Sequence, residues 1–302
     1  RCGAPPPAPP SPVHLKALRV CRNRICALPP ACSKAEIRKL YLDRNELRSL
    51  DHLPGGLVEL SASRNALQAV ALPRSPGLAV VSLSRNHIRA LDLLPDSSGA
   101  SESGEASPAP RVSALDLSHN QLSRVPDCVT AHLARTITRL NLRGNRVAQV
   151  TDAELAALDS LTDLDLSGNA LRALPESVGA ALRLRRLSVS RNALPALPAS
   201  IFRLRHLLEL HAASNGITAL ALPPGEAASC PLVELNLAGN LITFLPASLV
   251  ALASVTSLDL SYNALEHVDK ESAEAAGAPV DGRGTALRSL ARAMPALRAL
   301  RL

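Results

Sequence analysis

The feature that most constrains this chain is a comb of apolar residues ending in one asparagine, plainest in the stretch LTDLDLSGNALRALP that begins at Leu161. Leu161, Leu164, Leu166, Asn169, Leu171 and Leu174 fall at the offsets L-x-x-L-x-L-x-x-N-x-L-x-x-L. The first half alternates with the two-residue period of a strand, so Leu164 and Leu166 face inward while Asp163, Asp165 and Ser167 face outward. The same comb recurs around Asn23, Asn45, Asn65, Asn86, Asn120, Asn145, Asn169, Asn192, Asn215, Asn240 and Asn263. The spacings are 22, 20, 21, 34, 25, 24, 23, 23, 25 and 23 residues. A repeat of that length predicts a solenoid, in which each coil buries its apolar side against its neighbours.

The asparagine has a physical reason. An amide carries donors and an acceptor, so a buried Asn at each strand end can satisfy turn backbone in its own coil and in the next, forming a ladder. Two comb slots are thin, because Ala62 and Ala212 replace the leucine three residues before the Asn. These repeats are expected to be slightly looser. After the combs of repeats 7, 8 and 10, a Leu-Pro leads into a short apolar run. Pro175, Pro198 and Pro246 set the turn into one or two helical turns there. The early repeats, 20–22 residues long, leave room only for extended or 3₁₀ backbone.

The expected organisation is a disordered Pro-rich lead-in at 1–12 and one solenoid over 13–302, of about 12 coils. Two insertions break the period, at about 96–110 (Ser, Gly, Ala and Pro with two Glu) and at about 269–285. The final repeat re-enters the register with Leu297, Leu300 and Leu302 and stops before its Asn, which reads as a truncated last coil of a longer protein.

Composition narrows the function classes. Trp is absent, and Phe and Tyr number two each, which suits a thin aliphatic solenoid better than a base-stacking nucleic-acid platform. The net charge of +7 sits entirely in the first hundred residues. Residues 235–258 carry no charge, but Asn236, Asn240 and Pro246 interrupt them and the leucines hold the repeat register, so no membrane insertion is expected. Of the six cysteines, Cys2, Cys21, Cys26 and Cys32 crowd the N-terminus, with Cys21 and Cys26 inside the first repeat. Together with the absence of an N-x-Ser/Thr site, that arrangement favours reduced thiols in a cytoplasmic protein, with a secreted ectodomain as the alternative.

From Leu15 to Leu302 the chain resembles the leucine-rich-repeat superfamily. The implied fold is an α/β horseshoe solenoid with a parallel β-sheet on the concave face and short helices, 3₁₀ turns and extended segments on the convex face. The LPxxI…LxxLP pattern of Leu194 to Pro246 resembles intracellular Ras-pathway scaffolds of the Shoc2 and erbin type. Shorter early repeats such as IRKLYLDRNELRSL resemble phosphatase-1 regulators. The resemblance implies a non-enzymatic protein-binding module.

No stretch spells out catalysis. Cys21, Cys26 and Cys32 lack a CxxC pair or partnered His for a metal. Asp116, Ser118 and His119 sit on adjacent strand positions that point apart, which rules out a nucleophile relay. No cofactor is implied. The candidate binding residues are those the comb leaves outward. Immediately before the Asn, the first four repeats place Arg22, Arg44, Arg64 and Arg85 in one column, with Arg19, Lys39 and Tyr41 beside it. An acidic or phosphorylated protein segment would satisfy that column. The central face alternates in sign through Asp116, Arg139, Arg143, Asp163, Asp165 and Arg186, and His211 follows. Cross-strand pairing is the expected role of these charges and partner contact the second. The resulting reading is a scaffold that binds a protein on its concave face. The alternatives are a receptor ectodomain or the regulatory part of a longer enzyme.

Overall fold

The computed structural model describes residues 15–94, 110–222, 230–265, 267–268, 294 and 296–302. Its strands in chain order are β1 (Ala17–Arg19), β2 (Lys39–Tyr41), β3 (Glu59–Ser61), β4 (Ala69–Leu72), β5 (Val80–Ser82), β6 (Ala90–Leu93), β7 (Ala114–Asp116) and β8 (Arg139–Asn141). They continue as β9 (Asp163–Asp165), β10 (Arg186–Ser188), β11 (Glu209–His211), β12 (Glu234–Asn236), β13 (Phe244–Leu245), β14 (Ser257–Asp259), β15 (His267–Val268) and β16 (Ala299–Arg301). Twelve of them form one sheet in the order β1-β2-β3-β5-β7-β8-β9-β10-β11-β12-β14-β16. Every pairing in it is parallel, and comb leucine meets comb leucine: Leu40↔Leu60, Leu140↔Leu164, Leu187↔Leu210. Only the middle residue of each interior strand is buried, as the alternation predicts.

The asparagine ladder is present as expected. Asn145 donates from Nδ2 to Leu142 O at 2.9 Å and to Leu117 O of the preceding coil at 3.0 Å, and its Oδ1 accepts from Leu122 N at 3.0 Å. Asn65, Asn86, Asn169, Asn192 and Asn240 repeat the pattern. Each comb carbonyl therefore receives two amide donors, one from its own coil and one from the next, which fills both lone pairs. Ala62 and Ala212 are fully buried, so the coil closes over the smaller side chains.

Coil length sets what forms on the far side. The 20- and 21-residue coils carry no helix, and the extended β4 of the 21-residue coil pairs with β6 of the 34-residue coil that follows. Coils of 22 or 23 residues place a 3₁₀ helix at Pro30–Lys34, Glu176–Ala180, Ala199–Arg203 and Ala247–Ala251. Pro175, Pro198 and Pro246 are the N-caps of the last three. The 24-residue coil has room for the α-helix Asp152–Ala157, closed by a capping box between Thr151 and Glu154. The 25-residue coil from Asn120 to Asn145 holds a π-helical turn, Val129–Leu133. With both ends pinned to the sheet, the longer coils among these have room for the wider turns.

The insertion expected at 96–110 lies outside the described residues save Pro110, as do the one at 269–285 and the lead-in at 1–12. The ladder nevertheless passes the first insertion intact. β5 pairs directly with β7, and Asn120 reaches back to Leu83 O at 3.0 Å. The last repeat rejoins the sheet through Leu258↔Leu300.

Candidate functional site

The concave face carries a shallow trough of about 490 Å³ that crosses β5, β7, β8, β9, β10 and β11. Of the residues expected to bind, Asp116, Arg139, Asp163, Asp165, Arg186 and His211 line it. Arg143 stands exposed beyond the end of β8 and does not.

The expected alternation of charge is realised at one point. Arg186 reaches Glu209 at 3.0 Å on one side and Asp163 at 3.5 Å on the other. The hydrogen bond to Glu209, then its charge and that of Asp163, push the guanidinium still further up from its ordinary value. Arg139 is the register partner of Asp163 but forms no ion pair among the described residues. His211 lies 3.9 Å from both Glu209 and Glu234, a position where its protonated form would be paired twice.

Asp116 and Asp165 also do structural duty. Asp116 Oδ1 accepts from Ser118 N at 3.0 Å and Asp165 Oδ1 from Ser167 N at 2.8 Å, while Asn141, Asn236 and Asp259 do the same in their coils. A short acceptor four residues before the ladder Asn thus closes a local turn at the strand end.

Sequence reasoning missed the uncharged members of the trough: Val80, which is 37% exposed, with Ser82, Asn141 and Ser188. They occupy the same outward offsets as the charged ones, so the alternation contained the signal.

At the N-terminal end Arg19 lies over the Tyr41 ring, 4.6 Å from its centroid. Lys39 pairs with Glu59 at 3.1 Å, and this hydrogen bond raises the Lys39 pKa and lowers that of Glu59. Lys39 therefore adds no uncompensated charge to the arginine column.

The column itself has an unexpected backbone. Arg22, Arg44, Arg64 and Arg85 sit at φ 59, 58, 57 and 56, in the left-handed region. The equivalent positions of later coils are His119, Gly144, Gly168, Arg191, Ser214, Gly239 and Tyr262, all at positive φ. The turn aims each N–H at the next coil: Arg44 N donates to Ser63 O at 2.9 Å and Arg64 N to Ser84 O at 2.8 Å. This second hydrogen-bond column runs beside the ladder.

A leucine-rich-repeat family model matches residues 110–171 and 135–194. Podocan-like protein 1 of Mus musculus is 29% identical over 272 residues, covering 72% of this chain and 47% of that protein. Vasorin of Homo sapiens is 46% identical over 76 residues, covering 24% of this chain and 11% of its own length. The chain thus spans less than half the length of either relative. Among solved structures, an octameric complex of Latrophilin 3, Unc5D and FLRT2 contains a chain that matches with a TM-score of 0.62 at 22% identity, over 82% of this chain and 75% of that one.

Podocan-like protein 1, vasorin, nephrocan and fibromodulin are secreted or extracellular proteins, which overturns the cytoplasmic placement expected from the cysteines. Cys128 is buried, and loss of hydration pushes its pKa up to about 12; burial raises that of Cys230 too. These two thiols are unreactive in either redox environment, whereas Cys21, Cys26 and Cys32, on which the expectation rested, are free and at least partly exposed. No helix among the described residues is long and apolar enough to cross a membrane. The twelve parallel strands, the asparagine ladder and the matching repeat model together make this chain a leucine-rich-repeat solenoid.

Proposed function

We propose that the chain is an extracellular binding module that holds a protein partner in its concave trough. The observation that carries this reading is the trough, where Arg186 on β10 is already fixed between Asp163 and Glu209 and the exposed Val80 stands four strands away on β5. A charge held in place before binding loses little freedom on binding, and a partner long enough to span the trough would also bury Val80 at its far side. The resemblance of repeats 7 to 11 to intracellular scaffolds then reflects coil length and packing rather than compartment. Podocan-like protein 1 and nephrocan are non-enzymatic in kind, in keeping with a binding role.

The test is a binding screen of the chain against extracellular proteins, followed by titration of each hit with Arg186→Glu and Val80→Asp. Both variants are expected to weaken the true partner at least tenfold while far-ultraviolet circular dichroism is unchanged. A partner bound equally well by both variants sits elsewhere and refutes the trough.

A further inference from the structure

We propose that the column Arg22, Arg44, Arg64 and Arg85 binds a sulfated polysaccharide laid across the strand ends, separately from the protein partner assigned to the trough. Folding alone does not ask for arginine there. The turn needs a left-handed residue and its N–H, which Gly144, Gly168 and Gly239 provide without strain and His119, Arg191, Ser214 and Tyr262 provide in the other later coils. The later coils use arginine once, at Arg191, whereas the first four place this long, charged side chain there in every coil although left-handed backbone disfavours it. Strained residues persist where something beyond the local backbone selects them.

The four guanidinium groups also have no bonded carboxylate among the described residues, though Asp43 beside Arg44 dilutes the charge of the column. All four residues are exposed, and none has an ion pair or side-chain hydrogen bond among the described residues. Nearby carboxylates are engaged elsewhere. Asp43 Oδ1 accepts from Ser61 Oγ at 2.6 Å and Ser63 N at 2.8 Å, Glu46 faces the Cys26 thiol at 3.9 Å, and Glu59 holds Lys39. Their coils stack through β1, β2, β3 and β5, so at the usual strand spacing the column is about 14 Å long. Like charges that close repel and contribute nothing to the sheet.

The surroundings of the column select the occupant. The residues flanking it on the strand side are Cys21, Asp43, Ser63 and Ser84, with no large apolar side chain. A folded protein bound tightly needs an aromatic or aliphatic anchor at the centre of its footprint, and the aromatic beside this edge, Tyr41, is half-buried with Arg19 over its ring. An extended polyanion needs only a row of charges. The guanidinium fork fits the paired oxygens of sulfate and carboxylate groups. The extracellular setting of the relatives favours a sulfated glycan over a phosphorylated tail.

Heparin is the probe, immobilised and titrated with the 302-residue chain by surface plasmon resonance at several salt concentrations. The expected result is salt-sensitive binding that Arg44→Gly/Arg64→Gly weakens at least tenfold, with a shallower dependence on salt. Glycine suits the left-handed backbone, so the melting temperature of this variant should equal or exceed that of the parent and exclude misfolding as the cause. The control Arg183→Gln/Arg205→Gln removes two exposed arginines elsewhere and is expected to leave binding unchanged. Retained heparin binding by the glycine variant overturns the proposal, as does an equal loss in the control, which would mark a net-charge effect. Desulfated heparin or poly-glutamate binding as tightly as heparin would also overturn it, the latter in favour of an acidic polypeptide.

Discussion

Replacing Asn145 tests the ladder where its bookkeeping is fullest. Asn145→Ala removes three short hydrogen bonds and a longer one to Arg143 O at 3.5 Å from a side chain in a buried residue, but their loss is unequal. Leu117 O keeps the Asn120 amide at 2.9 Å, and Leu142 O keeps that of Asn169 at 2.9 Å. Only Leu122 N is orphaned, since Asn145 Oδ1 is its acceptor. One unsatisfied buried donor costs about 1–3 kcal/mol, and each carbonyl losing one of two donors about 0.5–1.5 kcal/mol, giving about 4 kcal/mol in all. Asn145→Asp keeps the acceptor for Leu122 but aims a carboxylate oxygen at two carbonyls that had received donors about 3 Å away. Both repulsion and burial raise its folded pKa above the unfolded value of about 3.9. A raised folded pKa means the ionisation penalty is absent below the unfolded pKa and grows as pH rises toward the folded one. The Asp variant should therefore recover part of its stability on acidification, where the protonated acid donates to one carbonyl. The Ala deficit should not shrink that way. Urea denaturation followed by circular dichroism at pH 7.5 and 4.5 measures both. Asn23→Ala is the internal control, because Asn23 is exposed and its amide reaches only Val20 O and Cys21 O of its own coil, so its cost should stay below about 1 kcal/mol. An Asn145→Ala cost as small as that of Asn23→Ala, or an Asp deficit identical at both pH values, would refute the reasoning.

The left-handed column predicts opposite signs for substitutions in one register. Gly144→Ala should destabilise by about 1–3 kcal/mol, because φ is +66° and the added Cβ would lie 2.6 Å from His119 Nδ1, whereas Arg64→Gly should be neutral or stabilise by up to about 1 kcal/mol. Thermal melts that move in the same direction would sink that account. For Cys128, a folded pKa raised from 9.0 to about 12 means its contribution is complete below pH 9 and is lost as pH climbs toward 12. Stability measured from pH 8 to 11 should fall less steeply in Cys128→Ala than in the parent; parallel slopes would show that the thiol is not protected.

The fold was readable because the comb fixes two things at once. Alternation of leucines at the strand decides which face of each three-residue strand is buried, and the Asn offset decides where the chain turns. Both repeat often enough that the weak slots at Ala62 and Ala212 do not matter. The far side was readable only as a range of room. The capping box at Thr151 and Glu154 matched a recognised spacing that the repeat pattern masked. Choosing among 3₁₀, α and π turns needed the coil lengths to be set against a sheet whose ends are pinned, and that constraint is a property of the assembled solenoid.

The site was harder to read for a different reason. Outward positions are identified by alternation alone, so Val80 and Asn141 were as available as Arg186, yet charge drew the eye to the ionic members. Charge also misrepresented their roles. Asp116 and Asp165 pair with turn amides, so part of the alternating sign pattern is strand-end chemistry. The left-handed column carried a signal in the three glycines at its register, but the four arginines concealed it, because arginine has no preference for that backbone. That mismatch is the informative part. A residue type unsuited to its backbone, repeated in four consecutive coils and left without a partner, says more about what the edge is for than any of the residues that fit their places well.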